Sequence, residues 1–279
     1  MRKIWISGSM GHMGQALSEI LRQMPYRLLL TDKESVDITA EGDVMRFMNA
    51  NRPDIVINCS GYNQEKFTGK EEIDMVYKVN AVGARNLAQA AEMIQAKMIQ
   101  MSTDDVFGKL SKVPYNEFDA VSPANIIGKS KYAGERFVTQ LMSRYVIIRS
   151  SWIYGIGEDF IDIVLEAARN EEKKELVVNA EEYAVPTSAQ ELAKVIVPLM
   201  EGEHYGIYHA VCTGGYCSRE EYAREILRLA GLEDKLSIRG RENGAVSYSV
   251  LDNMMLRING LKEPADWKET LAEYMEGNV

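Results

Sequence analysis

Cysteine is scarce in this chain: Cys59, Cys212 and Cys217 are the only three among 279 residues. The chain opens on Met-Arg-Lys and enters a strand pattern at once, so no signal peptide is expected. An odd, low cysteine count in that context predicts a reducing, cytoplasmic setting. Basic residues are in deficit as well. Lys and Arg number 32 against 41 Asp and Glu, for a formal net charge of −9. That argues against nucleic acid or an anionic membrane surface as partner, because both call for a basic patch. It does not argue against a bound nucleotide, whose phosphates backbone amides can hold. Long hydrophobic runs are missing too: none approaches the ~20 residues of a membrane helix. There is no repeat, low-complexity tract or Pro-rich linker. His209, Cys212 and Cys217 invite a metal reading, but no fourth ligand is evident and the spacing fits no common zinc pattern. A core strand followed by a loop is the expectation there, with no metal.

What is present is ordinary soluble-protein material, 46% hydrophobic and 26% charged, in a length that suits one large or two interleaved domains. Apolar runs at 3–7, 27–31, 54–59, 97–102 and 145–149 alternate with helical spacing at about 12–24, 41–51, 72–94 and 123–143. Buried runs alternating with helices imply βαβ units and a parallel sheet with helices on both faces. Beyond residue 155 the pattern loosens. Helices are expected near 158–170, 188–200, 218–231 and 264–276, with short strands at 175–178 and 206–210. Ser218 and Glu221 have the spacing of a capping box. The expected fold is α/β, a Rossmann-type doubly wound parallel sheet with a smaller carboxyl-terminal substrate domain. Residues 1–155 would form the dinucleotide-binding domain. Residues 156–279 would mainly bind substrate, packed across the carboxyl edge of the sheet and open to interleaving with the first domain.

Gly8, Gly11 and Gly14 form a G-x-x-G-x-x-G loop between the first strand and the first helix. Such a loop turns tightly, admits a pyrophosphate and aims helix amides at its charge. Its residues Gly8, Met10, Gly11, His12, Met13 and Gly14 are therefore assigned to cofactor binding. His12 is read as a surface residue beside the phosphates, and Met10 and Met13 as packing residues. Asp32 ends the second strand, where a carboxylate can accept hydrogen bonds from ribose hydroxyls and would repel a 2′-phosphate. This favours NAD(H), with NADP(H) as the alternative.

Further motifs fall in one collinear order. They are Asp37-Ile38-Thr39, Arg52-Pro53-Asp54, Cys59-Ser60-Gly61-Tyr62, Val79-Asn80-Ala81, Ser102-Thr103-Asp104-Asp105-Val106-Phe107, Pro114-Tyr115-Asn116-Glu117, Arg149 to Gly155, Gly206 to His209, Ser249 to Asp252, and Pro264-Ala265-Asp266-Trp267. With the glycine loop they resemble the extended short-chain dehydrogenase/reductases. More closely, nearly the whole chain resembles the dTDP-4-dehydrorhamnose reductase family. The resemblance implies hydride transfer from a nicotinamide to a sugar ketone. A tyrosine supplies the proton, and a lysine four residues later lowers the phenol pKa and holds the nicotinamide ribose. A hydroxyl at the Ser-Thr-Asp strand end hydrogen-bonds the carbonyl oxygen. It further implies Asp37, Ile38, Cys59, Ser60, Gly61, Asn80, Ser102 and Lys131 as cofactor contacts. Tyr62, Thr103, Asp104 and Trp152 are the implied substrate contacts.

The lysine is present as Lys131 and the hydroxyl as Thr103, but the tyrosine position holds Ile127. Tyr132 lies about 140° further around the helix and should face elsewhere. Tyr62, Tyr115 and Tyr154 remain open as replacements. Other departures gather at the sugar-nucleotide end: Asp105 for a tyrosine, the segment Asn63 to Phe67, and Ala245-Val246 where the family has Arg-Pro. Three functions follow. One is an NAD(P)H-dependent reductase of a nucleotide sugar or related ketone, impaired at proton delivery. Another is a reductase of a substrate without the dTDP group. The third is a non-catalytic NAD(P)-binding regulatory or scaffold protein, a role the family has supplied in the regulatory subunit of methionine adenosyltransferase. A small-molecule substrate is the expected partner, and a homo-oligomer is left open.

Overall fold

In the computed structural model, residues 1–62, 69–108, 111–242 and 246–278 are described. Chain order begins β1 (Lys3–Ser7), α1 (His12–Arg22), β2 (Arg27–Thr31), α2 (Glu41–Asn51), β3 (Ile55–Asn58), α3 (Lys70–Tyr77), α4 (Ala84–Met93), β4 (Lys97–Thr103), α5 (Ile126–Leu141) and β5 (Tyr145–Ser150). It continues with β6 (Ile153–Tyr154), α6 (Phe160–Arg169), β7 (Glu175–Asn179), β8 (Glu182–Ala184), β9 (Thr187–Ser188), α7 (Ala189–Glu201) and β10 (Gly206–His209). The last elements are β11 (Cys217–Ser218), α8 (Arg219–Ala230), β12 (Ser237–Arg241), β13 (Ser247–Tyr248), α9 (Met254–Ile258) and α10 (Trp267–Asn278).

Six strands form one sheet in the order β10-β5-β4-β3-β1-β2, and every pairing in it is parallel. The strands are apolar at nearly every position because both faces are covered. Ile4, Ile6, Ile55, Ile57, Ile99, Val146 and Ile148 point to one core, with α1 and α7. The alternate residues Trp5, Val56, Met98 and Ile147 point to the other, with α2, α4 and α5. This period of two, buried on both sides, is the signature of a doubly wound parallel sheet. A third core gathers α6, α8 and α10 around Tyr222, Trp267 and Leu271. Small sheets, β11-β8-β13, β12-β7 and β6-β9, flank it.

One sequence expectation changes here. The helix expected over 72–94 is interrupted by a π-helical stretch, Lys78–Gly83. Within it Asn80 makes non-local bonds, its Nδ2 donating to Ser130 Oγ on α5 at 2.9 Å and to Tyr62 O at 3.1 Å, and such bulges rearrange the local ladder. The short strand expected at 206–210 forms. As β10 it forms the edge of the main sheet, beside β5. The capping box at α8 forms as expected, with Glu221 N donating to Ser218 Oγ at 3.1 Å and Ser218 N to Glu221 Oε2 at 2.7 Å.

Candidate active site

A cleft of 570 Å³ opens at the carboxyl ends of the strands. Met10, Gly11, His12, Met13, Cys59, Gly61, Ser102, Thr103, Asp104, Ile127, Lys131 and Trp152 all line it, as sequence reasoning assigned. The glycines of the loop divide the work. Gly8 sits at φ +73°, and a Cβ there would fall 2.7 Å from Ser60 N. A Cβ on Gly14 would fall 2.2 Å from Gly8 O. Gly11 is different: its nearest neighbour would be 3.7 Å away, and it caps α1 at the cleft wall. Two glycines thus close the loop on itself, and the third leaves room beside the α1 amides. That is the donor set and space a pyrophosphate requires, so the residues present fit a dinucleotide.

Asp32 ties the loop to β2. Its Oδ2 accepts from Ser9 Oγ at 2.7 Å and its Oδ1 from Met10 N at 3.2 Å. Met13 is buried, as a packing residue should be, but Met10 is 72% exposed. The packing expectation for Met10 is corrected: the loop spends its amide on Asp32 and turns its side chain outward. Several assigned residues do not line the cleft. Asp37 makes a local turn, its Oδ1 accepting from Thr39 N at 2.9 Å and Thr39 Oγ1 at 2.8 Å. Ile38 packs in the core with α2 and α4. Ser60 N donates to Asn58 Oδ1 under the loop. Asn80 is buried, accepting from Tyr62 N at 2.9 Å and so binding the turn after β3 to α5. The segment Asn63 to Phe67 and Ala245 lie outside the described residues, while Val246 is exposed.

At the reacting end, β4 runs into a 3-10 turn, Asp104–Val106. Thr103 Oγ1 donates to Asp104 Oδ1 at 3.0 Å and accepts from Asp105 N at 3.2 Å. Ile127 and Lys131, one helical turn apart on α5, are both buried against the cleft. Burial lowers the Lys131 ammonium to about 8, with Cys59 and Glu135 pulling the other way. Burial likewise pushes the Cys59 thiol up to about 12. Behind them Glu135 accepts from Ser102 Oγ at 2.5 Å and takes a two-pronged bond from Arg149, at 2.9 and 2.7 Å. The Ser102 hydroxyl therefore braces β4 against α5.

None of the open tyrosines lines the cleft. Tyr115 stacks on Phe107 at 4.3 Å. Tyr154 Oη donates to Thr270 Oγ1 at 3.0 Å. Tyr132 packs on the core of α6, α8 and α10, as its angular offset predicts. Tyr62 is held by its backbone to Asn80. His209 Nδ1 faces Tyr115 O at 3.1 Å and Cys212 Sγ faces Thr270 Oγ1 at 3.8 Å. Among the described residues no His, Cys, Asp or Glu group could hold a metal, and no helix is long and apolar enough to cross a membrane.

Sequence reasoning missed part of the wall. Glu158, Glu182 and Arg219 reach the cleft from the carboxyl-terminal half. Arg219 follows the recognised cap Ser218, but no local pattern says which way its side chain turns.

The comparisons with known proteins agree with this geometry. The family described as RmlD substrate binding domain matches residues 1–278. The spore coat polysaccharide biosynthesis protein SpsK of Bacillus subtilis is 33% identical over 99% of this chain and 98% of its own. A dTDP-4-dehydrorhamnose reductase of Mycolicibacterium smegmatis is 32% identical over 98% of this chain and 84% of its own. The crystal structure of the dTDP-4-dehydrorhamnose reductase of Bacillus anthracis in complex with NADP superposes with a TM-score of 0.93, at 33% identity over the whole of both chains. A glycine loop, an α5 lysine and a Thr-Asp strand end meet in one cleft, and the chain belongs to the dTDP-4-dehydrorhamnose reductase family.

Proposed function

We propose that this chain reduces the ketone of a nucleotide sugar or related compound with a nicotinamide dinucleotide, and that proton delivery is its weak step. The observation that carries this reading is the meeting of Gly11, Thr103, Ile127 and Lys131 in one cleft. The loop and the first amides of α1 would hold the pyrophosphate, and the Lys131 ammonium the nicotinamide ribose. Asp32, its two oxygens each taking one bond from the loop, keeps lone pairs for ribose hydroxyls and favours NAD(H) over NADP(H). Once bound, the reduced nicotinamide supplies the hydride. The protein must then protonate the new alkoxide. Ile127 has no proton to give, and the Thr103 hydroxyl must first leave Asp104. General acid catalysis contributes about 10²–10⁴-fold, so hydride positioning alone leaves slow turnover.

The test is substrate-dependent oxidation of NADH and NADPH with dTDP-4-dehydrorhamnose. Slow or undetectable turnover is expected. Ile127→Tyr should then raise hydride transfer by about 10-fold or more, roughly 1.4 kcal/mol of barrier. An ordinary rate of about 1–10³ s⁻¹ in the unaltered protein would sink the assignment of position 127. The apolar Ile127 also favours a second reading, a dinucleotide-binding protein without catalysis. That reading predicts calorimetric dinucleotide binding and no ketone reduction in Ile127→Tyr.

A further inference from the structure

Arg219 is the first residue of α8, and the capping box of Ser218 and Glu221 fixes the backbone that carries it. Its guanidinium carbon stands over the Trp152 ring, 3.6 Å from the centroid, with the Phe160 centroid 4.8 Å away. The platform is firmly built. Trp152 holds a left-handed backbone at φ +39°. Both rings stack on fully buried Tyr222, at 6.0 and 5.5 Å. A cation on an aromatic face is held in orientation without spending its N–H donors. Its ion pair is loose: Nε stands 3.5 Å from Glu182 Oε2, beyond a good charge-assisted bond. Among the described residues its terminal nitrogens donate to no acceptor. The side chain is 19% exposed, and both it and Glu182 line the cleft.

A guanidinium fixed by two rings, loosely paired and opening on a cleft has the geometry that grips two oxygens of an oxyanion. Asp105, Glu158 and Glu182 line the cleft with it, so Arg219 supplies positive charge there; Lys131, the other cation of the lining, projects from α5. We infer that Arg219 is the anchor by which the cleft takes an oxyanion carried by the substrate, either a phosphate of a sugar nucleotide or the carboxylate of a uronic sugar. Glu182 holds the guanidinium until that anion replaces it. The inference rests on reading the cleft as the substrate site and names the group it recognises.

The experiment uses thymidine diphosphate and D-glucuronate as probes, with thymidine and D-glucose as neutral controls. Each is titrated by calorimetry into the full chain carrying Gly11→Asp, which closes the pyrophosphate loop so that Arg219 is read alone. At least one anionic probe should bind, and whichever does identifies the oxyanion. Adding Arg219→Gln should weaken it about tenfold or more, and Arg219→Lys should restore only part. Glu182→Gln should keep or tighten the affinity. The inference is overturned if neither anion binds, if Arg219→Gln stays within about twofold, or if Glu182→Gln weakens binding as much as Arg219→Gln. The last pattern is that of an ion pair serving the fold alone. A failure of dinucleotide binding in the unaltered protein would count against the proposed reduction and would leave this titration readable.

Discussion

Lys131 is a cation that the fold makes costly. It sits buried between Cys59 and Glu135, and its ammonium is lowered to about 8. In the unfolded chain a lysine stays protonated to about 10.4. Between those values the unfolded state holds the extra proton, so stability rises with pH there, and below about 8 the penalty of the buried charge is present in full. Lys131→Met removes that penalty. Its gain in thermal stability should be largest below pH 8 and should vanish toward pH 10.5. A gain independent of pH would show that the ammonium is not strained by burial. The same titration bears on function. If the charged lysine holds the ribose, dinucleotide affinity falls as pH rises through about 8 in the native chain and stays flat in Lys131→Met.

Helix α5 sets the position of both Ile127 and Lys131, and its first turn is wedged under the end of β4. Asn125 caps it, accepting from Gly128 N at 2.7 Å and donating to Asp105 Oδ1 at 3.0 Å. A Cβ on Gly128 would lie 2.0 Å from Asp105 O. Gly128→Ala must push the helix away from the turn that presents Thr103, at a cost of about 1–3 kcal/mol. Chemical denaturation should show that loss together with weakened dinucleotide binding. Unchanged stability would mean that the contact yields freely. Sequence gave this helix its extent but not its wedge, and the same division runs through the molecule. The strands of the main sheet were legible because burial on both faces leaves nearly continuous apolar runs, whereas the short β6, β8, β9, β11, β12 and β13 were not. The caps of α5 and α8 were within reach because their partners are three residues apart. The π-helical stretch at Asn80 and the seating of Arg219 on Trp152 were not, since each depends on residues distant in sequence. Asp37 and Ile38 were assigned by resemblance, and their local turn and core packing carry no periodic mark.

At the scale of the whole molecule, residues 1–155 lack what completes their own sheet. The edge of β5 is covered by β10, from beyond α7. One face of the sheet is closed by Leu192, Ala193, Ile196, Leu199 and Met200 of α7. The buried Lys97 ammonium ends on Leu199 O and Gly202 O, each at 2.6 Å. A fragment ending at 155 would expose a strand edge, an apolar sheet face and an unpaired ammonium together. Uncovered edges and faces of this kind drive association, and the Lys97 ammonium loses both carbonyls that hold it. The fragment should therefore aggregate or stay unfolded, while the full chain melts in a single calorimetric transition with the two halves coupled. Extending the fragment to residue 210 restores α7 and β10 and should recover much of the native far-ultraviolet circular dichroism. A soluble, cooperatively folding 1–155 monomer would show that the nucleotide-binding half stands alone. The crossing of α7 and β10 into its sheet would then be an attachment and not part of its fold.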